Sequence, residues 1–397
     1  MTTKNTNRLN RANSALILCL AIGVTVALTI PPSLAHGTSS GSEGGGLALL
    51  IFPVAAVLFA LFLVFTHRKK GWTVLVTGGA GYVGSVLVPK LLQHGHRVVV
   101  LDLFPCGDDI FEKYQHHENL RQISGDFTDL ATLASALRGC DAVIHLACVT
   151  GRTGHEPGSV LERATNMAAF GPLVEMSKTA GIKRFIFASS LRGKSFGSMT
   201  ASKSRLPLDE TDAFLMHKER CEHLLEEARS PGFVVCTVRA ADVCGVAPSQ
   251  RLDFGVNALA WEGFNDGGIR IMDGDQQMIP NIHVEDLATF YLIVLNQPDV
   301  RIDGKCCEAI SENLTRLEMA TAVAAALGKD ALLDVEAGVE FVDPKLPYGK
   351  VNPGFGFEAK HSVADAVREL VASLQDGIIE PLPKNLKNST DLKQCDQ

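Results

Sequence analysis

Tyrosine and tryptophan are scarce in this chain, four and two among 397 residues. Chemistry that needs a phenol must draw on Tyr82, Tyr114, Tyr291 or Tyr348. The ten cysteines include no C-x-x-C pair, and Cys306 and Cys307 are adjacent, a spacing that suits neither a zinc site nor a disulfide. No metal site is expected, and the thiols are expected to be reduced, as in a cytosolic domain. A basic excess is missing too. The net charge is -7, so no stretch of the chain can neutralise a run of phosphates, and nucleic acid is excluded as the main partner. There is no internal repeat. The length suffices for one large α/β domain or two lobes around a sizeable core.

Charge is absent from two N-terminal stretches. Residues 15–30 are apolar, small or Thr, follow Lys4, Arg8 and Arg11, and lead to Ser33-Leu34-Ala35. Residues 1–35 therefore read equally as a signal peptide or as a first transmembrane helix. Residues 36–46 form a link rich in Gly and Ser. Residues 47–66 are a twenty-residue uncharged run, long enough to cross about 30 Å of hydrocarbon, with Arg68-Lys69-Lys70 directly behind it. The positive-inside rule places the basic flanks, and with them everything from residue 71 onward, on the cytoplasmic side. The expectation is a membrane-anchored protein.

From Trp72 the pattern alternates between strand and helix. Strands are expected at 73–77, 97–102, 121–124, 142–147, 184–190 and 233–239. Helices are expected at 85–94, 128–137, 164–180 and 212–229. Strands alternating with helices imply an α/β fold, a doubly wound Rossmann sheet with helices on both faces. A Rossmann domain at 71–245 would be followed by a smaller substrate lobe at 246–380 with returning Rossmann elements, and by a polar tail at 381–397.

Gly78-Gly79-Ala80-Gly81-Tyr82-Val83-Gly84 directly follows a strand and directly precedes a helix. That is the context a dinucleotide loop needs. Gly78 permits the tight turn, Gly81 lets the backbone approach a pyrophosphate, and Gly84 lets helix and strand pack closely. The helix N-terminus then offers unpaired N–H groups and a favourable dipole. Asp102 closes the second strand about twenty residues on, where a carboxylate can bind ribose hydroxyls and repel a 2′-phosphate. NAD is expected in preference to NADP.

These residues resemble those of the extended short-chain dehydrogenases, especially the NAD-dependent nucleotide-sugar epimerase/dehydratase branch, over about residues 73–377. The resemblance implies roles for further positions. Asp126, after Gly125 and before Phe127, would lie at the adenine. Ala147 would end a strand beside the cofactor, and Asn166 would support the active site from a helix. Ser190 would be the catalytic serine, and Arg239, with Val243 and Gly245, would lie near the nicotinamide. Residues 280–288 match a motif at the start of a late helix. The implied substrate is a small molecule, a nucleotide sugar or related hydroxyl or carbonyl compound. A homodimer and a subunit of a membrane complex both remain open.

The family's proton chemistry uses Tyr-x-x-x-Lys on one helix face, and here the pattern departs. Lys218 is present and Glu222 fits an acidic position beyond it, but the tyrosine position is Phe214, which transfers no proton. None of the four tyrosines precedes Lys218 by four. Tyr82 lies in the loop itself. His217 is a replacement acid in type, since imidazoles ordinarily titrate near pH 6.5. It stands about 100° from Lys218 around a helix, which suits a solvated surface residue better. Met278 and Ala241 also depart from the branch, and Asn257 and Arg270 are polar candidates in the substrate lobe. Two readings follow: an NAD-dependent enzyme of this type, or a catalytically impaired NAD(H)-binding accessory or sensor protein. An unrelated α/β binding module is a third.

Overall fold

The apolar runs that follow Trp72 become strands of one parallel sheet, because the chain returns over that sheet as helix after most of them. A computed structural model describes residues 71–104, 107–149, 164–191, 210–272, 278–328, 332–336 and 355–379. Both apolar N-terminal segments and the polar tail lie outside the described residues. Among the described residues, no helix is long and apolar enough to cross a membrane.

In chain order the first elements are β1 (Thr73–Thr77), α1 (Gly84–Gln93), β2 (Arg97–Asp102), β3 (Leu120–Ser124), α2 (Leu130–Leu137) and β4 (Ala142–His145). A π-helical turn, Ala164–Ala168, leads into α3 (Phe170–Thr179), β5 (Arg184–Ser190), α4 (Glu210–Glu227) and β6 (Val234–Ala240). Then come β7 (Asp242–Cys244), α5 (Gly255–Asp266), β8 (Gly268–Met272), β9 (Ile279–His283), α6 (Val284–Leu295) and β10 (Lys305–Ala309). The last are β11 (Glu312–Leu314), α7 (Arg316–Leu327), β12 (Leu332–Glu336) and α8 (Val363–Gln375).

The main sheet has seven strands in the order β10-β6-β5-β4-β1-β2-β3, and all its pairings are parallel. The order reverses between β1 and β4. There the crossovers leave to opposite faces and open a crevice at the strand ends, which is where ligands bind in such sheets. Side chains alternate between the faces. Val74 and Val76 pack with α1 and α6, while Leu75 packs with α2, α3 and α4. A third cluster forms a smaller lobe, where Val256, Leu259, Ile269, Met319, Val323 and Leu370 pack together.

Local sequence sets the helix starts. Asp129 caps α2 by accepting from the Ala131 and Thr132 amides. Thr315 with Glu318 and Ser362 with Asp365 form capping boxes on α7 and α8. The expected single helix over 164–180 is instead a π-turn and then α3. The break falls where Asn166 is drawn onto the backbone of Val149. The seven cysteines among the described residues are free thiols.

Candidate active site

The glycine loop leaves β1 at the reversal point. Gly78 has φ +71°, and a Cβ there would lie 2.5 Å from the Ala147 amide nitrogen. Its own amide donates to the Leu101 carbonyl at 3.0 Å, which ties the loop to the end of β2. A Cβ on Gly84 would lie 2.4 Å from the Gly79 carbonyl oxygen, so only glycine lets α1 start this close to the loop. A Cβ on Gly81 would meet only the Gly78 oxygen, at 3.3 Å, leaving room on that side. α1 begins after Val83 with no side-chain cap and no acidic residue in its first turn. Its N-terminus therefore keeps its dipole for an anion, while the Ser85 and Leu87 amides donate to the Gly81 and Val83 carbonyls at 2.8 and 3.0 Å.

Asp102 ends β2 beside this loop. One carboxylate oxygen accepts from the Ala80 amide at 2.9 Å and the other from the Phe104 amide at 3.0 Å. Burial pushes its carboxyl upward, and the amide bonds oppose that shift. Asp126 accepts from the Thr128 amide at 2.8 Å and so shapes the turn after β3. Phe127 is buried with its edge against His145, the ring centroids 5.2 Å apart.

Beside the loop, His145, Ala147, Cys148, Asn166, Phe187, His217 and Lys218 line a small cleft. The Asn166 amide grips Val149 at both ends. Its oxygen accepts from the Val149 amide at 2.8 Å and its nitrogen donates to the Val149 carbonyl at 2.5 Å. Lys218 donates to the Ala188 carbonyl at 2.8 Å and stands 4.9 Å over the Phe187 ring. Ser190 ends β5 opposite Ala240. Behind it, Glu222 accepts from Ser189 at 2.5 Å and from Arg239 at 2.9 and 2.5 Å.

Several candidates are thus placed differently from the sequence expectation. Arg239 pairs with Glu222 behind β5. The Tyr82 hydroxyl donates to the Gly245 carbonyl at 2.7 Å and accepts from Asn257 at 2.9 Å, so its side chain locks the loop to the smaller lobe. Burial pushes that phenol well above its ordinary pKa. Asn257 is fully buried and also accepts from the Gly245 amide, which makes it a brace and not a substrate contact. His217 is buried in the cleft, not solvated. Position 214 lies on α4 one turn before Lys218. Two cleft residues carried no sequence signal of their own: Cys148 and, as a titratable group, His145.

A parallel sheet with this strand order, a glycine loop at its reversal point and an acidic residue after β2 defines a dinucleotide-binding Rossmann protein. Residues 74–306, more than half of the chain, match the NAD dependent epimerase/dehydratase family, and the chain belongs to that family. NAD is the cofactor, and the open side of Gly81, the uncapped start of α1 and the Asp102 carboxylate fit it.

Similar sequences include a 3-beta-hydroxysteroid dehydrogenase of Mycolicibacterium neoaurum, 26% identical over 57% of this chain and 62% of that protein. A 3 beta-hydroxysteroid dehydrogenase/isomerase of Mycobacterium tuberculosis is 30% identical over 43% of this chain and 47% of that one. The chain thus spans less than two thirds of the length of either dehydrogenase. An uncharacterized UDP-glucose epimerase of Bacillus subtilis is 28% identical over 57% of this chain and 73% of its own.

Among solved structures, the UDP-glucose 4-epimerase of Thermotoga maritima with UDP-glucose shares the fold. It has a TM-score of 0.62 and 22% identity, over 77% of this chain and 100% of that one. So does a Tyr-to-Phe mutant of UDP-glucuronic acid 4-epimerase from Bacillus cereus, in complex with a UDP-fluoro sugar and NAD. It has a TM-score of 0.63 and 22% identity, over 77% and 99% of the two chains.

Proposed function

We propose that this chain is an NAD-dependent oxidoreductase acting at a hydroxyl or carbonyl carbon of a nucleotide sugar or related small molecule. The observation that carries the reading is the cleft itself. Lys218 and Asn166 stand in it beside Ala147, directly against the Gly78–Gly84 loop. When bound, NAD supplies or accepts the hydride. The uncapped N-terminus of α1 would hold its pyrophosphate and Asp102 its adenine-side ribose, and the Lys218 ammonium would add positive charge beside the nicotinamide end. Ser190, at the end of β5, would hold the substrate oxygen. The glycosyl epimerases among the relatives and neighbours support a nucleotide-sugar substrate, while the steroid dehydrogenases keep the class of related alcohols in view.

The uncharged run at 47–66 and the basic residues behind it support a membrane anchor, with the Rossmann domain on the cytoplasmic side. Assembly as a homodimer or within a membrane complex belongs to the same reading.

The test uses the purified full-length chain. NAD binding is measured by calorimetry, and nicotinamide absorbance is followed with UDP-glucose, UDP-glucuronic acid and simple secondary alcohols. Transient or net reduction with one of them is expected. NAD binding with no spectral change across the panel would sink the oxidoreductase. It would favour the second reading, an NAD(H)-binding accessory or sensor protein, which Phe214 at the tyrosine position supports. Phe214→Tyr separates the two further. Raised turnover is expected of an enzyme, and continued inertness with normal NAD binding of an accessory protein.

A further inference from the structure

Oxidising an alcohol releases a proton as well as a hydride, and Phe214 cannot take it. We propose that the imidazole of His217 is the proton-transfer group of this site. The inference rests on the oxidoreductase reading above. In the oxidative direction, the substrate O–H bond breaks and its proton passes to a ring nitrogen of His217. The C–H electron pair leaves as hydride and the C=O bond forms. Reduction runs the same changes backwards, with the imidazolium returning the proton to the new alkoxide.

The helix geometry supports this assignment. Lys218 follows position 214 by four residues and His217 by three. At about 100° per residue these lie roughly 40° and 60° to either side of the line through position 214. His217 and Lys218 therefore flank the helix position at 214, one on each side. Consistent with this, His217 is 9% exposed and lines the cleft with Lys218, Asn166 and Ala147.

The neighbouring titratable groups suit proton transfer less well. His145 is fully enclosed, its Nδ1 lies 2.6 Å from the Thr77 hydroxyl, and burial drives its pKa down to about 3. The Lys218 ammonium is held on the Ala188 carbonyl. Glu222 is occupied by Arg239 and Ser189. Burial pushes the Cys221 thiol up to about 12. Cys148 donates weakly to the Val149 carbonyl at 3.7 Å. Among the described tyrosines, Tyr82 is locked on Gly245 and Asn257, Tyr291 is wholly in the core, and Tyr114 sits beside Gln93.

The experiment compares the full-length wild type with H217Q and the double variant F214Y/H217Q. NAD affinity is read by calorimetry, kcat and KM across pH, and histidine ring signals by NMR with ring-labelled histidine. The His217 signals are identified by their loss in H217Q. Those signals are expected to shift when NAD is added to the wild type, a readout independent of turnover. H217Q is expected to bind NAD as the wild type does and to lose about 10²–10⁴-fold in kcat, the usual contribution of a general acid–base. The acidic limb of the wild-type pH profile should disappear with it. Restored turnover in F214Y/H217Q would show that the substitution removed a proton carrier and did not damage the fold. A wild type that turns over while H217Q matches it in rate and pH profile overturns the inference alone. Ring signals unmoved by NAD overturn it as well. A wild type that binds NAD and oxidises nothing overturns the inference and the oxidoreductase reading together.

Discussion

His145 gives a pH dependence that can be worked from its surroundings. Its ring lies among Phe127, Phe170, Phe185 and Phe187, at centroid distances of 5.2, 5.5, 6.4 and 5.9 Å. Burial, with the Lys218 charge adding to it, lowers its pKa from 6.5 to about 3. In the unfolded chain the same imidazole titrates near its ordinary value. Between the two pKa values the unfolded state therefore carries the extra proton. The neutral, folded form has its full stability above about pH 6.5 and loses it as pH falls toward about 3, at about 1.4 kcal/mol per pH unit. The full span amounts to roughly 5 kcal/mol, a large share of a typical domain's stability.

The assay is urea unfolding at a series of pH values, comparing the wild type with the double variant His145→Leu, Thr77→Val. Both partners are replaced because the Thr77 side chain is fully buried and would otherwise keep an orphaned hydroxyl. Burial also holds His96 and His283 down, so the wild type loses stability faster than one group alone would cause. The double variant should lose it more slowly by one proton's worth, about 1.4 kcal/mol per unit. If the two proteins lose stability in parallel between about pH 6 and pH 4, the assignment of a neutral buried His145 is refuted.

Three further outcomes are expected. Gly84→Ala puts a methyl 2.4 Å from the Gly79 oxygen and 2.5 Å from the Gly78 oxygen, both backbone atoms that cannot step aside. NAD affinity should fall on the order of tenfold or more, about 1.4 kcal/mol, by calorimetry. Asp102→Asn removes the charge that repels a 2′-phosphate. The ratio of NADP to NAD affinity should therefore rise, and an unchanged ratio would count against Asp102 as the ribose partner. Glu222→Gln leaves the Arg239 guanidinium, 17% exposed, without its carboxylate, and should cost about 3 kcal/mol in urea unfolding.

The first half of the fold was legible because its signals are local. β1, β2 and β5 match the expected 73–77, 97–102 and 184–190 to the residue. Each is a continuous apolar run stopped by a glycine or by polar residues, as a doubly covered parallel strand should be. The smaller lobe gave no such signal. β9 pairs with β7 through Asn281 and Asp242 and with β11 through Asn281 and Glu312, contacts between short strands far apart in sequence. The split of 164–180 was equally hidden, since the two bonds from Asn166 reach a loop residue seventeen positions back. Tyr82 was read as a residue of the cofactor loop and Asn257 as a polar candidate of the substrate lobe, each from its own stretch of sequence. That they satisfy each other across 175 positions shows only in the structure. His217 was read as a solvated surface residue because a helix angle from Lys218 says nothing of what packs against α4, and it is buried.

The substitution at position 214 also leaves the frame of the cleft standing, and this bears on how the chain should be understood. α4 is tied to the sheet through Lys218 on the Ala188 carbonyl and through Glu222 on Ser189 and Arg239. It is tied to the π-turn through the Cys221 thiol on the Asn166 carbonyl at 3.2 Å. These contacts join β5, β6, α4 and the Asn166 turn by bonds that involve no phenol. Two charges of α4 are compensated within the same set, Glu222 by Arg239 and Lys218 by a carbonyl dipole and the Phe187 ring. Phenylalanine at position 214 thus leaves these ties in place while supplying no proton path, and our proposal gives that path to His217, which lines the same cleft.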